Sequence, residues 1–164
     1  MTAIYDKVEE YLNNVGWKYH RFDEQNAFVL NVTGKNGKYK IVIRVNDGKD
    51  QVAVFVDVPV MVPGDKKEAV SEFIIRANNT RLIGGFDYDL DEGEVTYKAV
   101  ADFEGVGEMD TSAIRIMMSA SIFSADTFYP GFLAVLYGGA APKEAVVDIV
   151  ENRPKKKNPE LNLN

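Results

Sequence analysis

Three runs, Ala27-Phe-Val-Leu-Asn-Val-Thr33, Tyr39-Lys-Ile-Val-Ile-Arg-Val45 and Val52-Ala-Val-Phe-Val-Asp-Val58, decide the fold. In each, apolar side chains recur at every second position, the period of a strand with one face in a core. The runs are separated by Gly34-Lys-Asn-Gly37 and Asn46-Asp-Gly-Lys-Asp50. Such turn-forming segments are too short to carry a crossover helix, so the strands are predicted to form an antiparallel meander. A fourth run, Trp17–Phe22, precedes them across Asp23-Glu-Gln-Asn26 and is expected to join the same sheet.

Outward from this block the period changes to that of a helix. Ile4, Val8, Leu12 and Val15 share one face of a first helix, with Thr2 as its expected cap and Gly16 as its stop. Beyond the meander, Pro59 and Pro63 are expected to end the sheet run. Asp65 to Asn79 then reads as a second helix, with Ala69, Val70, Phe73, Ile74 and Ala77 inward and Asp65 as its cap. Arg81–Leu90 and Glu94–Ala101 form a further strand pair around Asp91-Glu-Gly93. Asp110 to Tyr137 has a helical pattern, and Pro130 is expected to bend or break that helix. A short helix from Pro142 to Val150 follows, with proline in its first turn. Residues 1–151 thus read as a single α+β domain, and 152–164 as a disordered basic tail without apolar period.

The chain has 164 residues, 46% of them hydrophobic, enough for a core without a metal or disulfide staple. Its formal charge is −6. Setting aside the four basic residues and one acidic residue after Asn152 leaves 15 basic and 24 acidic side chains, a net of −9. So acidic a body repels phosphate backbones, and no nucleic-acid partner is expected. The absence of cysteine removes thiolate chemistry and Cys-ligated zinc. Met1–Lys7 lacks the basic start and apolar run of a signal peptide. The longest uncharged run, Thr127 to Pro142, is too short to span a bilayer, so a cytoplasmic, membrane-free protein is expected.

The second half carries a resemblance. Val62-Pro63, Glu72-Phe73-Ile74 and Arg76-Ala77-Asn78 run into Leu82-Ile83-Gly84-Gly85-Phe86-Asp87-Tyr88-Asp89 and Asp91-Glu92-Gly93-Glu94-Val95-Thr96-Tyr97. Tyr129-Pro130-Gly131 and Val135-Leu136-Tyr137-Gly138-Gly139 follow. Together these motifs resemble the YbjN domain family of bacterial sensory transduction regulators. The resemblance implies a fold similar to type III secretion chaperones and a regulatory or chaperone-like role, with no catalytic residues to carry over. Gly85 departs from the family pattern, where asparagine is expected.

No constellation of an enzyme emerges. Asp87, Asp89 and Asp91 alternate, but Glu92 and Lys98 stand where a calcium loop needs glycine and glutamate. They are read as a solvated strand face. His20, the only histidine, sits in Lys18-Tyr-His-Arg21 and is read as a surface residue. Ser112, Ser119, Ser121 and Ser124 fall in a helical pattern and not in a nucleophile turn, so they read as packing residues. Gly34–Gly37 is a hairpin and not a phosphate loop, and Gly84-Gly85 reads as a bulge or a close approach of backbones. No cofactor and no metal are expected.

The meander itself is the most informative feature. With Phe28, Leu30, Tyr39, Ile41, Ile43, Val52, Val54 and Val56 on the core face, Val29, Val42, Ala53 and Phe55 project from the other. A sheet covered on one side alone should be mostly polar on the second. This second face therefore needs a cover: the third helix of the same chain, a second subunit, or a client peptide. The reading adopted is a non-enzymatic protein that binds another protein and forms a homodimer, with Val29, Val42, Ala53 and Phe55 as partner-binding residues. The alternative is a small-ligand sensor with a pocket between the long third helix and the sheet, near Tyr97, Tyr129 and Tyr137.

Overall fold

The computed structural model describes residues 3–106 and 110–152. The expected cap Thr2 and most of the expected basic tail lie outside them. Helix α1 (Ile4–Val15) leads into strands β1 (His20–Phe22), β2 (Ala27–Thr33), β3 (Lys38–Asn46) and β4 (Gln51–Met61). Helix α2 (Lys67–Asn78), strands β5 (Gly85–Tyr88) and β6 (Glu94–Asp102), and helices α3 (Ser112–Tyr137) and α4 (Pro142–Glu151) complete the order. The strands form one antiparallel six-stranded sheet in the order β1-β2-β3-β4-β6-β5. This is the anticipated α+β architecture. Among the described residues no helix is long and apolar enough to cross a membrane.

The register carries the period-two pattern across the sheet. Phe28 pairs with Ile43, Ile43 with Val54, and Val54 with Ala99, all buried and all on one face. Every helix packs against that face or against a helix that does. Tyr5 of α1 stacks on Phe28 at 4.5 Å, and Phe128 and Phe132 of α3 each set ring edges against both Phe73 of α2 and Phe86 of β5. Helix α4 contributes Ala145 and Val146 to the same core through contacts with α2 and α3.

Four expectations need correction, each for a local reason. Strand β1 begins at His20, not Trp17. The chain before it folds back over α1, with the Trp17 N–H bonded to the Leu12 carbonyl and the Tyr19 hydroxyl donating to Glu9. Pro59 does not end β4, because a register shift between Val58 and Met61 takes up the missing donor and the strand runs on. Asp65 does not cap α2 with its side chain. It sits in a 3₁₀ turn closed by the Lys66 N–H on the Pro63 carbonyl. Strand β5 covers only Gly85–Tyr88, since the preceding residues cross from α2 and turn at Gly84 with φ +71°.

Pro130 neither breaks nor ends α3, which is continuous from Ser112 to Tyr137. A proline at 130 deprives the Asp126 carbonyl, four residues earlier, of its helical donor. The side-chain amide of Asn36 supplies a replacement at 2.9 Å. The Asp126 carboxylate reciprocates: it accepts the backbone N–H groups of Lys35 at 3.0 Å and Asn36 at 2.8 Å, and the Tyr39 hydroxyl at 2.9 Å. Burial, then the bond to Asp126, pushes the Tyr39 hydroxyl far above the usual phenol range. Glycine at 34 and 37 leaves room for this latch, because a Cβ at 34 would collide with the Asp126 carboxylate. The β2–β3 turn is thus pinned to the middle of α3.

Candidate functional site: the open face of the sheet

With every helix on one side, the opposite face of the sheet is uncovered among the described residues. The third helix does not fold over it. Two adjacent rows of apolar side chains cross this face. Val29, Val42 and Phe55 are neighbours through the pairings Val29↔Val42 and Val42↔Phe55. Ala53 and Val100 pair beside them, and beyond Arg44, which interrupts this second row, Ala27 and Phe22 continue it to the β1 edge. Val29, Val42, Ala53 and Phe55 are half-buried by their neighbours in the sheet, whereas Phe22 and Val100 keep 46% and 56% of their surface.

Phe55 lies at the centre of the belt, between two cations. The Arg44 guanidinium stands 5.5 Å and the Lys98 ammonium 5.8 Å from its ring centroid. Such contacts are worth about 0.5–1 kcal/mol each at exposed sites, enough to orient the chains without removing either charge from water. Lys40 approaches Asp57 at 3.8 Å, with both side chains well exposed. In a body whose net charge is strongly negative, the middle of this face is locally basic around an aromatic ring. The Arg44 side of this arrangement is readable from the strand period. Lys98 is not, because only the β4–β6 register sets it beside Phe55.

The two sheet edges differ. On β5 the Asn78 side chain donates to the Phe86 carbonyl at 2.9 Å and accepts from the Phe86 N–H at 2.6 Å. That edge is therefore already paired by an amide from α2. Gly85 belongs to the same arrangement: a Cβ there would lie 3.2 Å from the Asn78 Oδ1, so glycine leaves room for that amide. Gly84 is a close-approach position, where a Cβ would meet the Lys98 carbonyl at 2.5 Å. At the β1 edge, Arg21 binds Glu9 and Asp23, and the Tyr5 hydroxyl also donates to Asp23. Those hydrogen bonds, first from Tyr5 and then from Arg21, hold the Asp23 carboxyl below its ordinary value.

The tyrosines of the ligand-sensor alternative do not converge. Tyr97 is fully buried, with its hydroxyl donating to the Ile83 carbonyl at 2.6 Å, while Tyr129 sets its ring edge against Tyr39. Tyr137 is 73% exposed at the end of α3. Three surface clefts, beside Lys67–Leu90, Thr80–Ser124 and Tyr11–Asp126, are lined by none of the three. His20 is exposed on β1. Asp89 closes the β5–β6 hairpin by accepting the Asp91 and Glu92 N–H groups, which hold its carboxyl below the usual range. No cluster of three potential metal ligands occurs among the described residues.

This architecture is shared with chains of two solved complexes. A chain of the "Crystal Structure of the ExsC-ExsE Complex" superposes with a TM-score of 0.53 at 13% identity, covering 77% of this chain and 91% of that one. A chain of the "Structure of the HopA1-SchA Chaperone-Effector Complex" gives 0.53 at 10% identity, covering 74% and 91%. The fold is therefore type III secretion chaperone-like, as the resemblance implied. The YbjN family, described as "Putative bacterial sensory transduction regulator", matches residues 5–134, and the chain belongs to it. No curated protein matches.

Proposed function

We propose that this chain is a non-enzymatic, cytoplasmic, chaperone-like regulator that binds another protein through the open face of its sheet. The observation that carries the reading is the belt of Val29, Val42, Ala53 and Phe55 on a face that no helix covers among the described residues. Apolar side chains that stay on a solvent-facing sheet mark a surface for a partner. Arg44 and Lys98 beside Phe55 suit a partner segment whose apolar residues are flanked by carboxylates. Its likeness in fold to chains from chaperone complexes and its regulator family support protein binding over ligand sensing.

Affinity capture from the native host with the wild type and with Phe55→Asp tests this. The wild type is expected to retain specific proteins that Phe55→Asp loses, with the two baits unfolding at similar urea concentrations. Identical protein sets on both baits would place the contact elsewhere.

A further inference from the structure

The outer edge of the sheet stops short. Strand β1 pairs with β2 only as far as Val29, opposite His20, although β2 runs on to Thr33. Between β2 and β3 the Gly34 N–H donates to the Gly37 carbonyl and the Val45 N–H to the Asn26 carbonyl. Such bonded pairs fall at every second position of an antiparallel ladder, so Phe28, Leu30 and Val32 direct their main-chain groups at β3. Asn31 and Thr33 direct theirs the other way, beyond the end of β1, and both residues are exposed. A stretch of edge that outruns its neighbouring strand is a template for another extended segment.

A cleft of about 490 Å³ opens beside this stretch, lined by Tyr11, Val15, Trp17, Val32, Ile122 and Phe123. Val32 packs against the core but is only half-buried. In a strand added to β2, the residue opposite Val32 would turn its side chain to the same face of the sheet, and so into the cleft. Arg115 and Asp126 also line it. Asp126 is engaged by the β2–β3 turn, whereas Arg115 joins none of the ion pairs among the described residues. The site therefore suits an extended segment with apolar side chains at alternate positions and a carboxylate next to them.

Beyond Asn152 the chain itself contains such a sequence. Leu161 and Leu163 are the only apolar side chains there apart from prolines. They are too few to make a period, but an extended chain sets both on one side, with Asn162 on the other and Glu160 directly before them. Helix α4 folds back along α3 and brings Ile149 against Gly131. Gly131 is nine residues, about 14 Å, along the helix from Ile122 in the cleft. The eight residues 153–160 can span up to about 26 Å. Four of them, Arg153 and Lys155–Lys157, are basic, against a body with 15 basic and 24 acidic side chains. We propose that Glu160–Leu163 docks in cis as an added strand along Asn31–Thr33, with its leucines in the cleft and Glu160 at Arg115. Tethering raises its effective concentration, so weak contacts are enough to hold it. The open face of the sheet stays available, while any other segment that pairs with this edge must first displace the chain's own.

Trp17, the only tryptophan, reports on the cleft. In the full-length wild type its emission is expected at shorter wavelength than in the double variant Leu161→Asn/Leu163→Asn, with circular dichroism unchanged. Hydrogen exchange at the Asn31 and Thr33 amides should be at least about tenfold slower in the wild type. A synthetic peptide of residues 158–164 should restore the wild-type emission when added to the double variant, and should leave the wild type unmoved. Arg115→Glu should shift the emission toward that of the double variant, and adding Glu160→Arg should bring it back. Unchanged emission and exchange in the double variant, or equal peptide binding to wild type and variant, would overturn the proposal. So would a wild-type emission that shifts on dilution, because the segment would then be reaching a second copy.

Discussion

The two faces of the sheet are built from the same strands yet do opposite work. On the covered face, Phe28, Ile43, Val54 and Tyr97 are buried to within 1% of completely. On the other, alternating positions of the same strands leave Val29, Val42, Ala53 and Phe55 half-buried by their lateral neighbours alone. The difference teaches that apolar character does not assign a residue to a core. What matters is whether a second layer reaches it, and here α1, α2 and α3 all reach the same side. The covered face holds the molecule together, whereas the open one leaves its apolar side chains in contact with solvent.

The sharpest way to break this comparison is to truncate one aromatic from each face. Phe128→Ala, in contact with Phe73 and Phe86, should lower unfolding free energy by about 3–5 kcal/mol in urea titrations. Phe55→Ala should cost less, about 1–2 kcal/mol, from the loss of its two cation–π contacts. Equal costs would mean that the open face is part of the core after all.

A smaller effect probes how the covered face is locked. Asn36→Ala removes the donor that answers the Asp126 carbonyl, and should destabilise by about 0.5–1.5 kcal/mol. Pro130→Ala restores a backbone N–H to that carbonyl, so Asn36→Ala should cost less in a Pro130→Ala background. Additive costs in the double-mutant cycle would show that the amide serves only the hairpin turn.

Smaller again is the response to acid. The Asp23 carboxyl is depressed in the folded state, so its contribution is present above its unfolded pKa and is lost as pH falls through the folded one. Below about pH 4 the urea midpoint of the wild type should fall more steeply than that of Asp23→Asn. Parallel pH profiles would show that the Tyr5–Asp23–Arg21 clamp does not couple α1 to the sheet. The smallest effect belongs to the open face. Asp57→Asn removes an exposed pair at 3.8 Å and should change stability by less than about 0.5 kcal/mol at any pH. A larger loss would make that pair structural.

Much of this was legible before any coordinates. The alternation in Ala27–Val58 assigned core and opposite faces residue by residue, because a strand has only two sides. The motifs from Val62 to Tyr137 pointed to the family. What escaped was long-range compensation. Pro130 forecasts a broken helix only if nothing answers the Asp126 carbonyl, and its answer comes from Asn36, 90 positions away. Likewise, Ile116 and Phe123 are apolar yet exposed on α3. The available signal was the near absence of charge along that helix.

Sequence by itself determined the strands, their turns and the alternation of side chains, since these depend on neighbours a few residues apart. Only the tertiary structure decided which sheet face stayed open, which charges bracket Phe55 and which surface of α3 looks outward. Those outcomes depend on where whole helices pack, and helix packing is settled by the summed burial of residues remote in the chain.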